Sequence, residues 1–140
     1  MIGINDELEI YGNKNNMSDN EKIGHIINDS ASFTIDDENI DDITLKNIIC
    51  KYVLNSNNNA VLKSNNDKTI YYIIAIKDIN EGDEILMSYT PKFWINNKKL
   101  YRRFESLLIN DINFNQFFLK IGIQKICNTT SILEALHMFM

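Results

Sequence analysis

Residues 75–89 read AIKDINEGDEILMSY. The apolar start of this stretch is typical of the end of a strand, and the polar run from Asp78 to Glu84 predicts a turn. Gly82 suits that turn because glycine enters the left-handed region without steric cost. The run Ile85–Tyr89 then predicts a second strand. The stretch therefore predicts two strands joined by a polar turn.

A β-hairpin is predicted immediately upstream. Ala60–Leu62 and Thr69–Ile76 are rich in β-branched and aromatic residues, and the Asn65–Asp67 segment between them consists of residues that tolerate turn conformations. Most of residues 60–89 is therefore predicted to be sheet. Residues 43–54 carry apolar side chains at a spacing that fits either a short helix or a strand.

The sequence after residue 94 has helical periodicity. Two apolar faces are formed by Leu100, Phe104, Leu107 and Leu108, then by Phe114, Phe117, Phe118 and Ile121. Ser131-x-x-Glu134 matches a capping box and predicts the start of a last helix. That helix carries Leu133, Leu136 and Phe139. Because side chains this apolar need burial, we expect the tail to pack on the sheet or on a second copy in a homo-oligomer.

Composition limits the class of protein. The 140 residues suffice for one domain with its own core, and the formal net charge of −5 disfavours direct binding to nucleic acid or an anionic membrane. Cys50 and Cys127 form no CxxC pair, and His25 and His137 lack a catalytic partner at a known spacing. No apolar run approaches the roughly 20 residues of a membrane-spanning helix. We expect a soluble, intracellular protein without membrane contact and without a metal site.

Two segments carry a resemblance to a known family. Residues 26–30 read Ile-Ile-Asn-Asp-Ser, and residues 75–89 contain, in order, an alanine, a lysine, Asp-Ile, a glycine followed by an acidic pair, and a tyrosine. These segments resemble the Asn-His-Ser motif and the Gly-Glu-Glu-to-tyrosine run of the SET family, whose members are S-adenosylmethionine-dependent protein-lysine methyltransferases. The aromatic pair Phe93 and Trp94 adds to the likeness. The resemblance covers about residues 10–94.

The resemblance implies a fold. We expect an α+β chain with a β-rich, SET-like core of small curved sheets over residues 8–94 and a helical tail over residues 95–140 that packs on it. In such a core the Asn28 segment passes beneath a loop to form a pseudoknot, a threaded topology that periodicity alone does not suggest.

The resemblance also implies a site for S-adenosylmethionine. In the family the motif asparagine and the residue after it contact the cofactor, and those positions are Asn28 and Asp29 here. Ile27 is expected to join the cofactor-binding set, and Trp94 is expected either to stack on the adenine or to anchor a helix. Tyr89 takes the catalytic position that lines the channel for the substrate lysine. By its residue pattern alone, Tyr89 also fits an ordinary half-buried strand tyrosine.

The chain departs from the family pattern at several points. Asp29 replaces the motif histidine, Thr90 replaces the glycine after the closing tyrosine, and the Pro-Asn pair that usually follows the first motif is absent. The family's Gly-x-Gly strand lies several tens of residues before the asparagine, and neither Gly3 nor Gly12 forms it here. We therefore expect a partial SET-like domain that lacks this front strand.

Three functions fit these observations. The first is a methyltransferase that acts on a lysine in a basic, histone-like protein tail attracted by the acidic surface. The second is a catalytically inactive SET-like module that binds or assembles through its apolar helices. The third is an unrelated small α+β interaction domain.

Overall fold

The computed structural model of the chain describes residues 2–3, 9–10, 27–67 and 69–127. The elements in chain order are β1 (Ile2–Gly3), β2 (Glu9–Ile10), β3 (Asn28–Asp29), α1 (Asp42–Asn55), β4 (Ala60–Ser64), β5 (Tyr71–Ala75), β6 (Leu86–Met87), α2 (Thr90–Trp94), α3 (Lys98–Asn110), α4 (Ile112–Phe117) and a π-helix (Phe118–Cys127). Within these residues the strands form three two-stranded sheets. The predicted α+β class, with small sheets and a helical C-terminal part, is confirmed.

The pairing of β3 with β6 joins two segments that lie far apart in the sequence. The strands are parallel, with Asn28 opposite Leu86 and Asp29 opposite Met87. Parallel neighbours need a long connection, and here that connection contains α1, β4 and β5. The two segments that carry the family resemblance therefore lie side by side.

Asn59 connects this strand pair to the hairpin. Its amide donates to the Leu86 carbonyl at 3.0 Å, and its side-chain oxygen accepts the Leu86 amide at 2.8 Å. Its side-chain nitrogen donates to the Glu84 carbonyl at 2.8 Å, and its own carbonyl accepts the Ile76 amide at 2.9 Å. One side chain thus satisfies backbone groups that two short strands leave open.

The predicted hairpin is confirmed in β4 and β5. The strands are antiparallel, with Ala60 opposite Ala75 at the open end. Asn65 organises the turn, because its side-chain oxygen accepts the amides of Thr69 at 2.9 Å and Ile70 at 3.0 Å. This local bonding is the reason that Asn favours such turns.

The strands cover less of the chain than predicted. β6 contains only Leu86–Met87, and residues 76–85 form bends and turns in which Gly82 has a φ of 89°. The prediction that most of residues 60–89 is sheet is therefore wrong, although the hairpin and the turn around Gly82 are as predicted. The end of β6 has a local cause: the Ser88 hydroxyl accepts the Thr90 amide at 3.0 Å, and the chain enters α2 instead of continuing as a strand.

Residues 43–54 are helical, which decides between the two predicted alternatives. The Asp41 carboxylate caps α1 by accepting the Thr44 amide at 2.7 Å. The buried face consists of Leu45, Ile49, Tyr52 and Val53. This spacing follows the helical period, so burial of one face stabilises α1 despite its β-branched residues.

The helices α3 and α4 of the tail each begin after a polar N-cap residue. Asn97 caps α3 and Asp111 caps α4, each through a side-chain oxygen that accepts two amides. Asp111 also accepts a hydrogen bond from Lys46 Nζ at 2.7 Å. The junction between α3 and α4 is therefore held against α1.

One apolar core joins the tail to α1. Its fully buried members are Leu45, Ile49, Tyr52, Val53, Ile95, Leu100, Phe104, Leu108, Phe114, Phe118, Ile123 and Ile126. Phe104, Phe114 and Phe118 pack edge to face, with ring centroids 5.0 to 6.2 Å apart. The tail was expected to pack on the sheet or on a second copy, but within the described residues it packs mainly on α1 and on itself. The homo-oligomer stays a prediction.

Gly122 in the π-helix lies directly against Phe118. A Cβ atom at this position would lie 2.8 Å from Cδ1 of the Phe118 ring. Any other residue would displace that ring, so the glycine lets Phe118 stay in the core. π-Helices usually occur as single turns, whereas this one extends over Phe118–Cys127. The close contact between Gly122 and Phe118 lies within it.

Some predictions concern other parts of the chain. The helix that begins near Ser131 and Glu134, together with Leu133, Leu136 and Phe139, lies outside the described residues, as do His25 and His137. None of the described helices is long and apolar enough to cross a membrane.

The shared core predicts a large effect for Phe104→Ala. This variant should lower the free energy of unfolding by about 3–5 kcal/mol, because it empties a fully buried site. Ile109→Ala is the matched control on the same helix, since Ile109 is 63% exposed and its loss should cost at most about 0.5 kcal/mol. Urea unfolding followed by circular dichroism measures both. Equal losses in the two variants would contradict the shared core.

Candidate functional site

A cleft lies beside β3 and β6. Its volume is about 420 Å³, and its lining residues are Asn28, Asp29, Ser30, Ala31, Ser32, Glu84, Leu86, Tyr89 and Trp94. Ile27 does not line the cleft, but its carbonyl accepts the Tyr89 hydroxyl. The structure thus brings to one place all five residues that the sequence singled out for the site, namely Ile27, Asn28, Asp29, Tyr89 and Trp94.

Asp29 is the centre of the hydrogen bonds at this cleft. Its Oδ2 atom accepts the Tyr52 hydroxyl at 2.5 Å and the Trp94 indole nitrogen at 2.9 Å. The same oxygen accepts the Tyr89 amide at 2.9 Å, and Oδ1 accepts the Ala31 amide at 3.0 Å. Within the described residues, four protein donors therefore bind this half-buried carboxylate. Asp29 orients the walls of the cleft and has little bonding capacity left for a ligand.

Tyr89 belongs to an aromatic cluster at the end of β6. Its ring stacks on Trp94, with ring centroids 6.0 Å apart and an angle of 17° between the planes. It packs edge to face with Phe93, with ring centroids 4.8 Å apart. Partial burial, reinforced by the Asp29 carboxylate, raises the pKa of the Tyr89 hydroxyl. The hydroxyl is therefore a neutral hydrogen-bond donor near pH 7, bound to the Ile27 carbonyl.

Tyr52 belongs to the site although the sequence did not single it out. Its ring lies on the buried face of α1, and its hydroxyl lies between Asp29 and the Ser88 hydroxyl, which is 2.8 Å away. Burial first, and then the Asp29 carboxylate, raises the pKa of Tyr52 strongly. The one sequence signal is that a tyrosine on an apolar helical face needs a partner for its hydroxyl. The periodicity does not say which partner.

Thr90 adopts a backbone conformation that suits glycine. Its φ is 71°, inside the left-handed region that β-branched residues avoid. The Ser88 hydroxyl, which accepts the Thr90 amide, and Pro91 in the first turn of α2 hold it there. The SET-family pattern has glycine at this position, so the departure noted in the sequence places strain beside the cleft.

The charge of the cleft favours cations. The Asn28 side-chain nitrogen donates to Glu84 Oε1 at 2.9 Å, so both side chains are held at the rim. Asp29 and Glu84 supply two carboxylates, and none of the described lining residues is basic. A negative potential in a concave site raises the local concentration of positive ligands.

The arrangement is suited to binding. The aromatic side chains of Tyr89 and Trp94 line the cleft, and the carboxylates offer attraction to a positive group. Among the described residues, no group of three or more His, Cys, Asp or Glu side chains is placed to hold a metal ion.

Comparison with known proteins gives no match: no family model, no curated protein and no solved structure matches this chain. The resemblance to the SET family therefore stays a prediction that depends on the quoted residues.

The strain at Thr90 predicts that Thr90→Gly is stabilising. Removing a β-branched side chain from the left-handed region should raise the free energy of unfolding by roughly 0.5–1 kcal/mol, after the conformational entropy of glycine is subtracted. Thr90→Ala is the matched control, because it keeps the Cβ atom and should gain less. Thermal unfolding measures both, and equal melting temperatures for the two variants would contradict the strain.

The raised pKa of Tyr52 predicts a change in alkaline stability. Above the ordinary tyrosine pKa of about 10, the phenol of Tyr52 ionises in the unfolded chain but stays neutral in the folded chain. The contribution of Tyr52 to stability is complete below that pH and is lost as the pH rises toward the raised value. The stability gap between the parent and Tyr52→Phe should therefore shrink above about pH 10, by up to about 1.4 kcal/mol per pH unit.

Guanidinium unfolding at stepped pH measures this gap. If the difference in unfolding free energy between the parent and Tyr52→Phe stays constant from neutral to alkaline pH, folding does not raise the pKa of Tyr52.

Proposed function

We propose that this chain is a SET-like protein-lysine methyltransferase whose cleft binds S-adenosylmethionine. The observation that carries the proposal is that Asn28, Asp29, Tyr89 and Trp94, which come from two distant motifs, line one cleft. The parallel pairing of β3 and β6 produces this meeting.

The residues of the cleft fit this cofactor in charge and in shape. S-adenosylmethionine carries a sulfonium, an ammonium and a carboxylate, so its net charge is positive near neutral pH. Asp29 and Glu84 supply negative charge to the cleft, and the rings of Tyr89 and Trp94 suit a flat adenine. The volume of about 420 Å³ lies within the range of roughly 300–1,000 Å³ that is usual for small-molecule sites.

Each residue of the site has a role in this proposal. When bound, the cofactor supplies an activated methyl group. Asn28 and the backbone at Asp29 would hold it, and Trp94 would exclude water from one side. Ile27 would act through its carbonyl, which holds the Tyr89 hydroxyl. Tyr89 lies where the substrate amine enters, and its neutral hydroxyl orients that amine.

The substrate lysine must reach the site as a neutral amine. Its ammonium has a pKa of about 10.4 in water and no lone pair for attack. The aromatic side chains of Tyr89, Phe93 and Trp94 desolvate it and thereby favour the neutral form. The net charge of −5 attracts a basic, histone-like tail before this step. Positioning supplies most of the rate.

A second candidate function is a catalytically inactive SET-like binding module. The observation that favours it is the closed bonding of the cleft: Asp29 already accepts four protein donors, and the Tyr89 hydroxyl is bound to Ile27. Such a network holds its shape without a ligand. Cofactor binding separates the two candidates, because every catalytic step requires it.

Titration calorimetry and thermal unfolding with S-adenosylmethionine test the proposal. Cofactor at about 100 times its dissociation constant should stabilise the chain by about 2.7 kcal/mol, a rise of several degrees in melting temperature. ATP, an anionic adenine ligand, should bind much more weakly. Glu84→Gln keeps an acceptor for Asn28 but removes charge, and it should weaken cofactor binding. Absence of any shift with S-adenosylmethionine would favour the inactive module.

Methyl transfer to histone-tail peptides tests the role of Tyr89. Tyr89→Phe should abolish transfer while changing stability by no more than about 1 kcal/mol, because it removes one hydroxyl and no ring volume. Tyr72→Phe is the matched control at a position that is 44% exposed on β5, and it should transfer methyl like the parent. Equal activity in the two variants would contradict the assignment of Tyr89.

A further inference from the structure

Tyr52 connects the helical core to the cleft. Its side chain is only 2% exposed and packs edge to face on Phe33, with ring centroids 5.4 Å apart. Its hydroxyl donates to Asp29 Oδ2 at 2.5 Å, and the same oxygen holds the Trp94 indole nitrogen at 2.9 Å. One side chain of α1 therefore reaches, through a single carboxylate, the ring that lines the cleft.

The apolar core does not need the Tyr52 hydroxyl. A phenylalanine would fill the same volume and keep the contact with Phe33, and burying a hydroxyl costs free energy unless it is bonded. Asp29 and Ser88, which bond to this hydroxyl, belong to the segments that form the cleft. The hydroxyl of Tyr52 thus bonds to the segments of the cleft, while its ring packs in the core.

The Asp29 carboxylate needs such a fixed donor. The terminal torsion of an aspartate is broad, so the plane of the carboxylate is set by the groups that bind it. Tyr52 lies on the buried face of the 14-residue α1, whereas the Tyr89 amide and the Trp94 indole lie on or beside the five-residue α2. The Tyr52 hydroxyl therefore fixes the position of Asp29 Oδ2, which accepts the Tyr89 amide and the Trp94 indole nitrogen.

A short chain of hydroxyls extends this support. Because the Tyr52 hydroxyl donates to Asp29, Ser88 can donate to the Tyr52 oxygen at 2.8 Å. Ser88 Oγ in turn accepts the Thr90 amide at 3.0 Å. Linked hydrogen bonds polarise and strengthen one another at buried sites. Tyr52 thus also holds the strained start of α2.

We propose that Tyr52 is a positioning residue of the cleft: through Asp29 it fixes the Trp94 ring and the Tyr89 backbone in the arrangement that binds ligand. The affinity of the cleft then depends on the hydrogen bond that the Tyr52 hydroxyl donates to Asp29. The proposal deepens the function given above and rests on the cleft being the cofactor site.

Trp94 makes the test direct, because it is the only tryptophan of the chain and its fluorescence reports on the cleft. Tyr52→Phe should keep the circular dichroism spectrum of the parent but increase the quenching of Trp94 by acrylamide. It should also weaken S-adenosylmethionine binding by about tenfold, the equivalent of one hydrogen bond to a charged group. Ser88→Ala is a second variant that should move both readouts in the same direction by less.

Ile49→Val separates positioning from general destabilisation. Ile49 is fully buried on the same face of α1, so the variant loosens the core without removing a donor to Asp29. Its melting temperature should fall, while its Trp94 quenching and its affinity should match the parent. If Ile49→Val moves both readouts as far as Tyr52→Phe, or if Tyr52→Phe moves neither, the positioning role is overturned.

The two proposals fail in different ways. A parent that binds no S-adenosylmethionine, combined with increased quenching in Tyr52→Phe, supports the positioning role and removes the cofactor assignment. A parent that binds the cofactor, combined with unchanged quenching and affinity in Tyr52→Phe, supports the cofactor assignment and overturns the positioning role.

Discussion

The Asp29 carboxylate is the constraint on which the cleft depends. A half-buried charge is costly unless donors surround it, and this one accepts bonds from its own loop, from α1 and from the segment around α2. Three parts of the chain must therefore meet at one point. The parallel pair of β3 and β6 is only two residues long on each side, so backbone pairing alone would be a weak link, and the carboxylate supplies the missing strength.

This role suits an aspartate better than a histidine at position 29. An ionised carboxylate is an acceptor at every lone pair, and all its observed partners are donors: two amides, a hydroxyl and an indole nitrogen. A neutral histidine offers one acceptor and one donor, and would leave some of these groups without a partner. The Asp29 side chain is thus matched to Tyr52 and Trp94, and it adds negative charge to a cleft that already contains Glu84.

The sequence predicted the features that depend on local chemistry or on periodicity. The Asn65 turn, the glycine turn at Gly82 and the first helical face of the tail are of this kind, and they are present. The second predicted face is only partly present, because Ile121 is 40% exposed and the π-helix buries Ile123 and Ile126 instead. The meeting of Asn28 with Tyr89 followed from the resemblance alone. The role of Tyr52, the bonding of Asn59 and the packing of the tail on α1 were not predicted, because the choice of a hydrogen-bond partner or of a packing face is made in three dimensions. Strand length was overpredicted for a related reason: Ser88 bonds to the Thr90 amide, and propensity does not register that competition.

The helix α1 also shows why residue 94 marks a change in sequence pattern but not a boundary in packing. Leu45 and Ile49 belong to the same buried cluster as Phe104 and Phe118 of the tail, so the helix is placed by residues from both sides of that point. The position of α1 therefore sets the position of the Tyr52 hydroxyl, which donates to Asp29. A change in the tail that tilts α1 must therefore move the donor of Asp29. A substitution that lowers the stability of the tail without displacing α1 leaves that donor in place.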